Sequence, residues 1–274
     1  MSYKTIVVHL DALPRRSERL ALACQLTTSF EAHLVGLFAI EEPVTPAYAL
    51  VEGGAVIFQQ YQRWREQGER EARKEFDAQL NRCNLSRAEW RSPALDAVSA
   101  MRLSARYADL LVIGQTDPEV LSDYSPGELL LEAGRPVLVV PYAGRFSSVG
   151  RRVLIAWNAS REAARAVTDS LPFLQRAQHV EIVAFDPQES RGEHGEEPGA
   201  DIALYLARHG VKATAAQQHA GIDVGEQILS RAADADADLI VMGAYGHSRT
   251  RELVLGGATH TVLGSMTVPV LFSH

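Results

Sequence analysis

The chain has 274 residues, 46% apolar and 22% charged, the balance of a globular protein with sizeable cores and a length that suits two ordinary domains or one large one. A net charge of −7 leaves no basic face to displace counterions from a nucleic-acid backbone, so DNA and RNA are excluded as main partners. No apolar run approaches the roughly 20 residues that span a bilayer, so no membrane partner is expected. Met1-Ser2-Tyr3-Lys4 leads straight into an apolar strand and lacks a signal-peptide layout, so the expected location is cytoplasmic.

In chain order, the first half reads as strands near 4–10, 33–40, 89–92, 109–114 and 137–141. Asp11 follows the first strand and is expected to serve as a cap. After the second strand comes a loop, Glu41 to Gly54, and then a long charged helix near 56–83 whose Trp64, Phe76 and Leu80 are expected in the core. Cys24 and Cys83, the two cysteines, fall in helix-like segments without metal-ligand spacing and read as reduced, packed thiols. Gly144 to Gly150 is the natural linker, dividing the chain into domains at 1–143 and 151–274.

The second half reads as strands near 152–157, 179–185, 211–217, 238–243 and 268–272, with helices near 159–177, 200–209, 223–234 and 257–264. Asp223 has the position of a helix N-cap, and Gln188 to Gly199 reads as a polar surface loop. The strands are short and continuously apolar rather than alternating, as in a parallel sheet covered on both faces. Alternating β and α with short loops implies right-handed crossovers and a doubly wound sheet.

The chain also repeats itself. Ala108-Asp109-Leu110-Leu111-Val112-Ile113-Gly114 matches Ala237-Asp238-Leu239-Ile240-Val241-Met242-Gly243, and each half closes with a proline-led strand after Pro136 or Pro269. Ile6-Val7-Val8-His9-Leu10-Asp11 likewise matches Val153-Leu154-Ile155-Ala156-Trp157-Asn158. The expected architecture is therefore α/β: two doubly wound, parallel five-stranded sheets with helices on both faces, arranged as a pseudo-two-fold tandem. Such sheets bind ligands beyond the carboxyl ends of their strands, at the switch in strand order. Gly243-Ala244-Tyr245-Gly246 leaves such an end, and Gly256-Gly257-Ala258-Thr259 opens the next helix. Spaced glycines let backbone N–H groups approach a ligand closely, and a helix start favours an anion, so the segment points to a phosphate.

Both halves resemble the universal stress protein family in its tandem form. The most specific feature is the spacing Gly, two residues, Gly, nine residues, Gly, met by Gly243, Gly246 and Gly256. The resemblance implies a stress-response protein that binds ATP or AMP in its second half, with Mg²⁺ reachable through the phosphates, in a regulatory and non-catalytic role. It places phosphate and ribose contacts on Gly243, Gly246 and Gly256, and further phosphate contacts on Gly257, Ala258 and Thr259. It places the adenine beside Asn158 and the backbone near Ala184, with Ala156 on the same strand as Asn158. It also implies an internal pseudo-dimer, with Val268–Phe272 as the edge that seeks a mate, a further dimer of chains, and a protein partner that the sequence does not identify.

Two positions depart from the family pattern. Gly257 stands where Ser or Thr is usual; one lost hydroxyl hydrogen bond to a phosphate costs about 1.5–3 kcal/mol, roughly 10- to 100-fold in affinity. Thr259 is the candidate to supply the missing hydroxyl. Asn158 replaces Asp, keeping an acceptor and adding a donor. In the first half Gly114 is followed by Gln115-Thr116-Asp117-Pro118-Glu119, without a second glycine and with acidic charge where phosphates would sit. Gly127 reads as a remnant of the third glycine, and no nucleotide is expected there.

His247 and Ser248, in the second-half loop, are candidates to support the phosphates, against the alternative of a solvated loop; Arg251 and Glu252 read as local ion pairs. Trp157 either stacks near the base or packs in the core. His179, His194, His209 and His219 are scattered without metal-ligand spacing, and no Ser-His-Asp set can be assembled. The enzyme alternative is slow ATP hydrolysis, for which His247 is the one nameable base. A scaffold that binds no nucleotide is the third alternative.

Overall fold

The computed structural model describes residues 2–13, 15–41, 54–118, 125–185, 198–219, 223–246 and 257–274. The first half carries β1 (Thr5–Leu10), α1 (Arg16–Phe30), β2 (His33–Phe38), α2 (Gly54–Arg82), β3 (Ala88–Arg91), α3 (Ala97–Ala105), β4 (Leu110–Gly114), α4 (Pro126–Glu132) and β5 (Val137–Val140). The second carries β6 (Arg152–Trp157), α5 (Arg161–Leu174), β7 (His179–Phe185), α6 (Ala200–Arg208), β8 (Thr214–Gln218), α7 (Val224–Asp234), β9 (Leu239–Gly243), α8 (Ala258–Ser265) and β10 (Val270–Ser273).

The strand order is β3-β2-β1-β4-β5-β10-β9-β6-β7-β8. Read outward from the centre, both halves have the same order, and all pairs within a half are parallel. The two five-stranded units expected from the repeat are therefore present, but they form one sheet of ten strands rather than two sheets. The join is antiparallel: Val270 pairs with Val139, Leu271 with Leu138 and Phe272 with Val137. Equivalent final strands can pair this way only across a two-fold axis, here at Leu138 and Leu271. The apolar edge of β10 is thereby covered within the chain.

Side chains leave the sheet alternately to two helical layers. Ile6, Val8, Leu110, Ile155 and Val241 pack with α1, α5 and α6 through Leu20, Val167 and Leu206. Val7, Leu111, Leu154 and Ile240 pack with α3, α4, α7 and α8 through Met101, Leu129, Ile228 and Val262. Burial on both faces explains the unbroken apolar strands. Across the join, Tyr3, Phe30 and Phe173 form an edge-to-face cluster with centroids 4.9–5.6 Å apart, and the Tyr3 hydroxyl donates to Asp169 O at 2.6 Å.

The repeated Ala-Asp-Leu motif has one structural task in both halves. Asp109 accepts hydrogen bonds from the N–H groups of Lys4 and Thr5, and Asp238 from those of Gly150, Arg151 and Arg152. Each aspartate thus anchors the start of the first strand of its own half. Asp223 caps α7, accepting from Glu226 N at 3.1 Å, as its position predicts.

Four expectations need correction. Strand β8 begins at Thr214 rather than 211, because Gly210 takes φ +77° and Val211 N–H returns to Leu206 O, closing α6 with Val211 buried. Trp64 is 50% exposed, since α2 turns it away from the sheet, whereas Phe76 is buried against Gly36 and Leu80 packs on the core. Asp11 does not cap α1, whose N-cap position is Arg15; it accepts from Leu13 N–H in the preceding turn and pairs with Arg19. Gly127 lies inside the first turn of α4 rather than ahead of it, where a third phosphate-loop glycine would stand.

Candidate functional site

In the second half the chain runs from β6 through β7 to β8 on one side and then returns to β9 and β10 on the other. The switch point lies between β6 and β9, as the strand reading requires. Ala156 pairs with Met242 in register, so Asn158 and the Gly243–Gly246 turn leave neighbouring strand ends together. Ala184, next to last in β7, pairs with Trp157. Trp157 packs on the core cluster.

The turn lies hard against the start of α5. A Cβ at Gly243 would approach Ala163 N and Glu162 C to 2.6 Å, both backbone atoms that cannot move aside. At Gly246 it would approach Ser160 Oγ to 3.0 Å and Glu162 Oε2 to 3.1 Å. Gly243 is therefore a packing requirement, and Gly246 a tight fit, as well as candidate ligand contacts. Between them Tyr245 takes φ +55°, a left-handed conformation uncommon for a bulky residue. Its N–H donates to Thr259 Oγ1 at 3.2 Å.

Asn158 Oδ1 accepts from Ser160 N–H at 3.2 Å and Ser160 Oγ at 2.7 Å, and Ser160 Oγ in turn accepts from Ala163 N–H. Asn158 thus organises the N-terminus of α5. Gly257 is the N-cap residue of α8 and provides no side-chain hydrogen bond, which leaves first-turn N–H groups, beginning with those of Ala258 and Thr259, without a side-chain partner from that position. Thr259 is 3% exposed, and its oxygen already serves Tyr245. His247, Ser248 and Gly256, together with Arg251 and Glu252, lie outside the described residues, as does most of the 188–199 loop with His194. The structure thus brings Ala156, Asn158, Gly243, Gly246, Gly257, Ala258 and Thr259 to the same end of the sheet. No cluster of three or more potential metal ligands occurs among the described residues.

Glu162 carries no motif spacing that marks it in the sequence. It is 3% exposed, lies under Gly246 and pairs with Arg161. Burial pushes its carboxyl up, but the Arg161 hydrogen bond, its own N–H and the charges of Arg161 and His274 bring it net below the ordinary value. His274 Nδ1 lies 2.9 Å from Ala244 O, which ties the chain end to the turn.

The equivalent crevice in the first half is filled by its own side chain. Arg19, 4% exposed, donates from Nε to His9 O at 2.6 Å and pairs through Nη2 with Asp11 Oδ2 at 2.7 Å. A Cβ at Gly114 would overlap Arg19 Nη1 and lie 3.4 Å from its Cζ. The guanidinium therefore occupies the space between the ends of β1 and β4. Burial and the Arg19 charge hold His9 down to about 4. Asp11 is pushed up by burial but brought net below its usual value by Arg19, His9 and the Leu13 N–H.

Residues 150–274 match the model of the universal stress protein family. The C-terminal half of this chain is a universal stress protein domain. A 46-residue stretch is 48% identical to universal stress protein Slr1230 of Synechocystis, covering 17% of this chain and 16% of that protein. The fold extends the likeness over the whole length. A universal stress protein from Archaeoglobus fulgidus superposes with a TM-score of 0.72 at 17% identity, covering 98% of this chain and 97% of that one. A putative universal stress protein from Pseudomonas aeruginosa gives 0.59 at 14% identity, covering 99% and 93%. Both halves of the chain therefore share in a fold that universal stress proteins adopt, as mixed α/β layers around a mostly parallel sheet. No described helix is long and apolar enough to cross a membrane.

Proposed function

We propose that this is a cytoplasmic stress-response protein of two units, 1–143 and 151–274, that binds one adenine nucleotide, ATP or AMP, in the crevice of the second. The observation that carries the reading is the switch-point arrangement. Gly243, where a side chain would strike backbone, and Gly246, where one would crowd Ser160 and Glu162, shape a turn beside Asn158, and the glycine-capped start of α8 follows in the same half. Backbone N–H groups at that helix start suit phosphate oxygens, and an ATP complex would bring Mg²⁺ on its own phosphates. Adenine sits beside Asn158 and Ala184, ribose and phosphates along Gly243, Gly246, Gly256, Gly257 and Ala258, with His247 and Ser248 as loop support. Thr259 can donate its hydroxyl proton to a phosphate while its oxygen accepts from Tyr245.

The role is regulatory rather than catalytic: bound nucleotide alters how the chain meets a protein partner. The first unit binds none, because Arg19 fills its crevice and Pro118 lacks an N–H donor. Calorimetry with ATP and AMP on the wild type and on Gly246→Asp tests the site. The reading requires heat from the wild type alone. Phosphate release above the level of that variant would establish the ATPase alternative instead.

A further inference from the structure

Tyr245 lies in the turn that the preceding reading assigns to nucleotide, yet its ring leaves the second half. A Cβ at Gly127, in the first turn of α4, would overlap the Tyr245 hydroxyl oxygen and lie 3.4 Å from Cζ. The ring packs on the core layer that contains α4 and α8. A reciprocal contact runs the other way. Gln115, which follows β4 at the position equivalent to Ala244, donates from Nε2 to Leu263 O of α8 at 2.8 Å, and its Oε1 accepts from Tyr142 N–H at 3.1 Å. Gln115 is 8% exposed, so this is a buried link.

The first half therefore touches both parts of the second-half site. Gly127 seats the tyrosine of the Gly243–Gly246 turn, and Gln115 holds the far end of the helix whose start follows the loop. Within the second half, Tyr245 N–H and Thr259 Oγ1 join the turn to that helix start. We infer that Gly127 and Gln115 are positioning residues for the nucleotide site, so that the closed first half sets the nucleotide affinity of the second. The absence of a side chain at Gly127 has this specific use: it leaves room for the hydroxyl of a residue 118 positions later. The inference rests on the nucleotide-binding reading above. Coupling between sites typically changes affinity 5- to 150-fold.

The test is a compensation experiment on the full chain, read by ATP calorimetry, with urea midpoints as a folding check. Gly127→Ala puts a methyl group in overlap with the hydroxyl oxygen, so the Tyr245 ring must be displaced; under this inference the turn is displaced with it, and ATP affinity is expected to fall about tenfold. Alanine suits a helix better than glycine, so α4 itself tolerates the change. Tyr245→Phe added to Gly127→Ala removes the overlapping oxygen and leaves a 3.4 Å contact, and should bring affinity back to within about threefold of wild type. Gln115→Leu, which cannot donate to Leu263 O, should weaken ATP binding without changing its stoichiometry. Unchanged affinity in a folded Gly127→Ala chain, or a double variant no tighter than the single, overturns this inference and leaves the site reading intact. A wild-type chain that binds no ATP overturns both.

Discussion

Arg19→Met removes the guanidinium that fills the first-half crevice while keeping much of the stem volume. The change strands one buried acceptor, His9 O, and one half-buried one, Asp11. His9 O loses a 2.6 Å hydrogen bond, and Asp11 loses its 2.7 Å ion pair, keeping the Leu13 N–H. Removing one partner of a buried pair costs about 3–5 kcal/mol. The Asp11 side chain retains 18% exposure, so water recovers part of this and about 3 kcal/mol is expected. The sign with pH follows. In the wild type the Asp11 carboxyl lies below its usual value, so the pair stabilises above that value and is lost as pH falls through the lowered one. In the variant burial acts unopposed by Arg19 and the carboxyl rises, so the deficit shrinks on acidification. Urea unfolding at pH 7 and at pH 3.5, below the usual Asp value, measures both. Asp11→Asn added to Arg19→Met should recover part of the loss, because a neutral amide no longer needs the cation. A deficit under 1 kcal/mol at pH 7, or one that grows on acidification, would refute the view that Arg19 is a structural plug.

His9, held at about 4 in the native state, takes up a proton on unfolding below pH 6.5; its contribution is complete above 6.5 and lost as pH falls towards 4. About 2 kcal/mol should disappear between pH 7 and pH 5, and His9→Gln should remove that part of the slope in a pH series of urea midpoints. Asp238→Ala deprives three backbone N–H groups and the Ser148 hydroxyl of their acceptor and should cost about 3 kcal/mol in the same assay; Asp109→Ala, with two such N–H groups, should cost less. Burial and the adjoining Cys83 push the Cys24 thiol up to about 12, so iodoacetamide at pH 8 should label Cys24 only after unfolding, as mass mapping would show.

The repeat, the strands themselves and the crevice at the ends of β6 and β9 were legible because each rests on runs and spacings read along the chain. Continuous apolar runs mark strands buried on both faces, and Asp223 ahead of α7 marks its cap, whereas the anchoring of strand starts by Asp109 and Asp238 was not legible. The union of β5 and β10 within the chain agrees with the internal pseudo-dimer that the resemblance implies, but its antiparallel register and the single ten-stranded sheet it makes were not legible, since residue pairs about 130 positions apart leave no local pattern. Gly243 and Gly246 were legible by spacing, but their packing reason, the start of α5 with Glu162, arises only when a helix is laid across the strand ends. Arg19 reads in sequence as an ordinary helix cation, and only its burial against Gly114 reveals it as the filling of a lost crevice. Tyr245 and Gly127 lie 118 positions apart, so no local pattern joins them.

Equilibrium dialysis with labelled ATP, counted per chain, tests the central claim most directly. One nucleotide per chain, abolished by Gly246→Asp in a folded protein, is the predicted result. Two per chain, none, or one that survives Gly246→Asp would contradict it.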